Sequence, residues 1–165
     1  MNVGSVDIVE MLEEEVSLGL TFATNLFIGF EPKKPDNTVT LFDTGGFGPQ
    51  LTFNRDEKYD YVNVQIRVRN NKYDEGWDMI NNIKNALHGR AHETWNDAYY
   101  SLIHCSSDIA FLDWDENRRA RFVVNFELQR RPSPYIYVLT DDQGNLITDD
   151  SGAYITNDGG KLITE

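Results

Sequence analysis

The strongest period in this chain is two. Over residues 59–69, Val62, Val64, Ile66 and Val68 take every second position, while Asn63, Gln65, Arg67 and Arg69 fill the places between. Successive side chains of a strand point to opposite faces, so the segment predicts a strand with one core side and one polar side. Around residues 121–131 the design repeats: Phe122, Val124, Phe126 and Leu128 alternate with Arg121, Val123, Asn125, Glu127 and Gln129. That run ends at Arg130, Arg131 and Pro132, whose ring cannot donate to a ladder. Between the two strands the period lengthens. Tyr73, Trp77, Ile80, Lys84 and Leu87 follow helical spacing through DEGWDMINNIKNALHG, with acids in the first turn, His88 in the last and Gly89 as the stop. Residues 6–18 predict a second amphipathic helix. There Ile8, Val9, Met11, Leu12, Val16 and Leu18 recur between Glu10, Glu13, Glu14 and Glu15, and Gly19 ends the pattern.

Weaker signals fill the remainder. Residues 22–30 alternate and predict a strand ending in the turn EPKKPDN, and residues 38–42 predict a short one. DTGGFGPQLTF reads as a loop, because glycine accepts positive φ without a steric cost. It is not a phosphate loop, since no GK[ST] follows and no helical pattern begins there. Residues 95–105 suggest another strand, and residues 109–112 lead into the turn-rich DWDENR. Two amphipathic helices and several one-faced strands together predict an α+β layer fold: a mixed, largely antiparallel sheet flanked by two main helices. From Leu139 the chain repeats, as LTDDQGNL, ITDDSGAY, ITNDGGKL and ITE, with a period of eight residues. Each unit sets a strand-like pair before a turn-like D-D-x-G or N-D-G-G, which predicts short hairpins in a C-terminal β-repeat appendage. The repeats hold too little apolar surface to fold alone.

Composition sharpens this outline. At 165 residues, 40% hydrophobic and 12% aromatic, the chain carries enough apolar surface for one core and is not a disordered polymer. Cys105 is the single cysteine and has no internal disulfide partner. MNVGSVDIVE lacks the basic and apolar regions of a signal peptide, and no apolar run approaches the ~20 residues that span a bilayer, so the expectation is a soluble cytoplasmic product with no membrane partner. The net charge of −12 argues against tight binding to duplex nucleic acid. Its distribution is uneven. Residues 1–20 hold five acids and no base, residues 132–165 hold six acids against Lys161, and residues 21–131 hold 16 acids and 14 bases.

Candidate chemistry is sparse. His88 and His92 lie four apart beside Glu93, but Gly89 ends the helix between them, so a metal pair is not expected. His104 and Cys105 are strand neighbours pointing to opposite faces and cannot form a nucleophile–base pair with each other. The acidic repeats lack the EF-hand and nonapeptide calcium patterns, and solvated turns are the better reading. No cofactor and no catalytic set is expected, although a small metal-dependent enzyme using these histidines is the alternative from another functional class. Two charged features point to contacts. The acidic helix face, with Glu13, Glu14 and Glu15, is either a solvated surface or a contact face for a basic partner. Arg67, Arg69, Arg121, Arg130 and Arg131 are either an exposed sheet face paired with local acids or a docking surface for a neighbour's acidic helix.

The blocks TNLFIGFEPKKPDNTVTLFDTGG, YVNVQIRVRN, YDEGWDMINNIKNALHG and FLDWDENRRARFVVNFELQRRP, in that order within residues 1–132, resemble the minor capsid or tail terminator family of tailed bacteriophages. The resemblance implies a mixed sheet flanked by helices over residues 1–132, with residues 133–165 as an acidic extension beyond it. It further implies a non-enzymatic virion protein of the tail or neck, assembled in the host bacterial cytoplasm. The implied form is a homo-oligomeric ring, hexameric in the family pattern, that ends the tail tube and joins it to the head–tail connector or stopper. The implied partners are therefore further copies of itself, the tube protein and the connector, with genomic DNA passing through without specific binding. An acidic lumen would repel phosphates and favour that passage. A minor capsid or connector position elsewhere in the virion is the alternative within the same class.

Overall fold

The computed structural model describes residues 2–51 and 58–132, and residues 156–157 and 161–162 of the C-terminal segment. The chain divides into two compact units, Met1–Pro132 and Ser133–Glu165. The first contains helices Gly4–Glu14 (α1) and Tyr73–Leu87 (α2). Its strands are Leu26–Ile28 (β1), Thr38–Leu51 (β2), Lys58–Asn70 (β3), Glu93–Trp95 (β4), Ala98–Cys105 (β5), Ala110–Trp114 (β6) and Ala120–Pro132 (β7). They form one seven-stranded sheet in the order β1-β2-β3-β7-β5-β4. Strand β7 is the hub: β3 pairs along one side, while β5 and β6 share the other, β5 at residues 126–132 and β6 at residues 120–123. The β1–β2 pair is parallel and the other pairs are antiparallel, so the expected mixed, largely antiparallel sheet is present.

Cross-strand register explains why both helices lie on one face. Val62, Val64, Ile66 and Val68 sit opposite Leu128, Phe126, Val124 and Phe122, so the two apolar runs share a side. Onto that side α1 brings Ile8, Met11 and Leu12, and α2 brings Ile80, Ile83 and Leu87, all fully buried. Burying each such side chain stabilises the fold by about 1.5–3 kcal/mol. Helix α2 approaches closely because residue 76 is glycine: a Cβ there would lie 2.8 Å from the Phe122 ring and 3.0 Å from Asn70 Cβ. Helix α1 starts at Val3, which offers no capping side chain. Asp43 of β2 supplies the missing acceptor, taking the Ser5 backbone N–H at 3.0 Å and the Ser5 hydroxyl.

Several boundaries differ from the sequence pattern, each for a physical reason. Helix α1 ends at Glu14, and residues 16–18 form a single 3-10 turn before Gly19 at φ +59°. Within residues 22–30 only Leu26–Ile28 is strand. Asn25 donates its side-chain amide to the Gly19 carbonyl and accepts the Thr21 N–H, and the N–H groups of residues 24–26 converge on the Thr21 carbonyl, which winds this stretch into a turn. The glycine-rich stretch is strand, not loop, since β2 runs from Thr38 to Leu51 with register shifts at Thr44/Phe47 and Phe47/Gln50. Glycine serves the bulge there: a Cβ on Gly46 would stand 1.8 Å from the Tyr61 carbonyl oxygen. Residues 95–105 are a hairpin rather than one strand, because Asn96, at φ +50°, reverses the chain between Trp95 and Ala98.

In the second unit, Thr156–Asn157 (β8) pairs antiparallel with Lys161–Leu162 (β9), both within the third repeat. The first two repeats lie outside the described residues.

Candidate assembly surface

Strand parity leaves a second sheet face that neither helix covers. It carries Thr40 and Phe42 of β2, Asn63, Gln65, Arg67 and Arg69 of β3, and Arg121, Val123, Asn125 and Glu127 of β7. Because β1 and β2 are parallel, the chain between them must return along the sheet, and residues 31–36 do so over one end of this face. Arg69 is the anchor of that return. Its guanidinium donates to the carbonyls of Pro32 (2.8 Å), Pro35 (2.7 Å) and Asp36 (3.2 Å) and pairs with Glu31 at 2.9 Å, leaving it 4% exposed. Burial pulls the Arg69 guanidinium down from its ordinary value, with Glu31 acting against the shift. Arg67 lies over the Phe42 ring at 4.9 Å and 3.6 Å from the other Glu31 oxygen.

The β6–β7 turn closes the cluster. Arg119 bonds Asp115 through Nε at 2.7 Å, pairs with Asp36 at 3.0 Å and donates to the Lys33 carbonyl at 2.9 Å, which ties the turn to the return loop. Asp115 also accepts the backbone N–H groups of Asn117 and Arg119. Burial pushes the Asp115 carboxyl up, but these hydrogen bonds outweigh it and bring it down to about 2. Arg121 grips Asp113 with two bonds, at 2.7 and 2.6 Å, and holds that carboxyl below the usual range. For Asp36 the hydrogen bond from Lys34 is the leading cause of a similar lowering.

A different buried cluster lies under α1. Asp7, fully buried, accepts the Tyr100 hydroxyl and the Asn96 amide (2.8 Å), with Arg130 3.6 Å away. Arg130 in turn donates to the Asn2 carbonyl at 2.8 Å.

The arginines singled out from sequence therefore divide. Arg69 and Arg130 are buried and engaged within the chain; Arg67 and Arg121 stand partly exposed on the uncovered face, each beside an acid. Arg131 stacks over Tyr99 at 4.9 Å and Tyr59 at 6.0 Å. Glu13, Glu14 and Glu15 sit exposed at the end of α1; Glu13 accepts the Phe22 N–H and Glu15 the Ser17 hydroxyl. Arg130, expected on an exposed or docking face, is instead buried: it continues the even-numbered, inward parity of Phe126 and Leu128, where a charge needs a buried partner. Arg119, Asp115 and Asp36 carried no periodic signal.

Two features have no counterpart in the periodicity of the sequence. One is an aromatic patch where α2 meets β6: Tyr73, Trp77, Phe111 and Trp114 pack through centroid distances of 5.0–6.1 Å, several of them involving Phe122, yet remain 39–50% exposed. The other is a groove beside α1, floored by Val6, Val9, Phe22 and Ile28 and rimmed by Glu10 and Glu13. Two of the three histidines make local bonds: His88 accepts the Cys105 N–H at 3.1 Å and His92 bonds the Tyr99 hydroxyl at 2.8 Å. Among the described residues, no three His, Cys, Asp or Glu side chains converge as a metal site.

The model of the bacteriophage tail terminator protein family matches residues 6–131. A chain in the virion of a native gene transfer agent particle shares the fold, with a TM-score of 0.54 at 10% identity over 78% of this chain and 94% of that one. No curated protein matches the sequence. The family match makes the molecule a structural protein of a bacteriophage. Specifically, the chain belongs to the bacteriophage tail terminator family and is a tail structural protein.

Proposed function

We propose that copies of this chain close into a ring, hexameric as the family resemblance implies, that ends the tail tube and joins it to the head–tail connector. The observation that carries this reading is the difference between the two edges of the sheet. A ring is built from heterologous contacts, so each copy needs two unlike patches facing away from each other. Here the β1 edge carries the acidic groove of α1, and the β6 edge carries the aromatic patch, with β2, β3 and β7 between them. A two-fold dimer would need one self-complementary patch instead.

Passage of DNA fits the same arrangement. Arg67, Arg69, Arg119 and Arg121 each lie beside Glu31, Asp36, Asp113 or Asp115, so among the described residues these four arginines of the uncovered face are not free for phosphate. Residues 1–132 form the ring domain in this account, and residues 133–165 form an acidic extension that contacts neighbouring virion proteins. Tube subunits and the connector occupy the two rims, and assembly takes place in the host cytoplasm before incorporation into the tail.

Light scattering of the purified chain, alone and mixed with tail-tube assemblies, tests the proposal together with negative-stain microscopy. Closed rings, free or seated on tube ends, are expected. A monomer in both samples, with no rings in the images, overturns it.

A further inference from the structure

The β6–β7 turn holds an arginine where the backbone favours glycine. Arg118 has φ +58°, in the left-handed region, and its N–H closes the turn onto the Asp115 carbonyl. In such a turn the left-handed position is the usual site of glycine, because a Cβ crowds the following carbonyl. The side chain is exposed and has no hydrogen bond or carboxylate partner among the described residues, unlike its neighbours Arg119 and Arg121. A left-handed residue whose side chain has no partner among the described residues points to an external contact. Paired with Ala120 at the base of the same turn, Trp114 lies 50% exposed at the rim of the aromatic patch.

The opposite edge offers the complement. Residues 1–32 contain no Lys, Arg or His, so nothing in that segment's own side chains neutralises the acids around the α1 groove. Its apolar lining, Phe22 and Ile28 included, is flanked by Glu13 and by Glu10, which also accepts the Asn96 side-chain amide at 3.0 Å. Phe22 is 49% exposed. A partner that fits must carry a flat apolar group and a cation a few residues apart. Trp114 and Arg118 present that pair on a rigid turn held by Asp115.

We propose that the β6–β7 turn of one copy enters the α1 groove of the next, with Trp114 on the apolar floor and Arg118 between Glu10 and Glu13. This rests on the ring reading and names its subunit contact. Because donor and acceptor lie on opposite edges of one sheet, each copy uses both, and the contact propagates from copy to copy until it closes. Burying the cation against two carboxylates beside an aromatic ring strengthens the charge term and fixes the orientation of the neighbour.

Two measurements test the contact. The Arg118→Gly variant removes the side chain and relieves the left-handed residue. Its urea midpoint, followed in the full chain at a concentration where the wild type is monomeric, should equal or exceed that of the wild type. Its assembly, by mass photometry, should need at least tenfold more protein. In a Cys105→Ser background, mixing Arg118→Cys with Glu13→Cys chains should give an oxidised dimer that neither variant gives alone. Rings that form in the wild type but also, at equal concentration, in Arg118→Gly, without the mixed disulfide, overturn the contact and leave the ring standing. A wild type that never assembles overturns both.

Discussion

Replacing Tyr100 with phenylalanine isolates one hydrogen bond at the centre of the fold. The Tyr100 ring is fully buried on β5, so the change removes an oxygen without opening a methylene-sized cavity. That hydroxyl donates to Asp7, which is 0% exposed, and receives the Arg130 guanidinium at 3.4 Å. Without it, Oδ2 of Asp7 keeps only Arg130, at 3.6 Å, while Oδ1 keeps Asn96 at 2.8 Å and Asn2 at 3.3 Å. A hydrogen bond to a charged group contributes about 1.5–3 kcal/mol. Since Arg130 can close part of the gap, a loss of about 2 kcal/mol is expected. For a domain of this size that lowers the melting temperature by roughly 6–10 °C. All three tryptophans, Trp77, Trp95 and Trp114, lie within residues 1–132, so their fluorescence during urea unfolding reports this unit. The double variant Tyr100→Phe/Asp7→Asn should be more stable than the sum of the single effects predicts, by about 1 kcal/mol. A single variant within about 0.5 kcal/mol of wild type, or strict additivity, refutes the reasoning. Burial, and then Asp7, push the phenol well above an ordinary tyrosine. Its contribution is therefore complete below about pH 10 and fades as pH rises toward the folded-state value, a dependence that Tyr100→Phe should lack.

Other outcomes follow from the same geometry. Asp115 titrates near 2 in the fold and near the ordinary value of 3.8 when unfolded, so the unfolded chain binds the proton first and stability falls as pH drops from about 4 toward 2. Asp115→Asn should flatten part of that decline in urea midpoints measured across the window. Gly76→Ala should destabilise the domain by about 1–3 kcal/mol despite its better helix propensity, since the methyl meets the Phe122 ring; a gain in midpoint contradicts the close packing. Gly46→Ala should disrupt the pairing of β2 with β3 around Tyr61, read as faster amide exchange at neighbouring ladder positions.

Where one face of an element meets the core, its pattern was readable. Strands β3 and β7 and helix α2 bury their inward positions almost completely, so periodicity alone located them within a residue or two. Elements shaped by distant contacts were not. The glycines of β2 look like loop residues locally, and only the pairing with β3, through Gly46 and its bulge, makes them strand. Residues 22–25 alternate like a strand, yet Asn25 bonds the backbone at Gly19 and Thr21 and curls them. Alternation also put Arg69 on an open face, and it is buried because residues 31–36 cross above it. Charge at the surface was the least legible, since whether an arginine is free depends on acids far away in sequence. The Arg119–Asp36 pair joins residues 83 apart, and the Arg130–Asp7 cluster joins the two ends of the domain.

The most direct test of the proposed role is growth of the tail tube itself. Tube protein is polymerised with and without the purified chain, and the ends and lengths of the tubes are measured by electron microscopy. The account predicts ring density at one end only and elongation that stops once the ring is seated. Tubes that continue to lengthen with the chain bound, or that carry it along their sides, contradict a terminator.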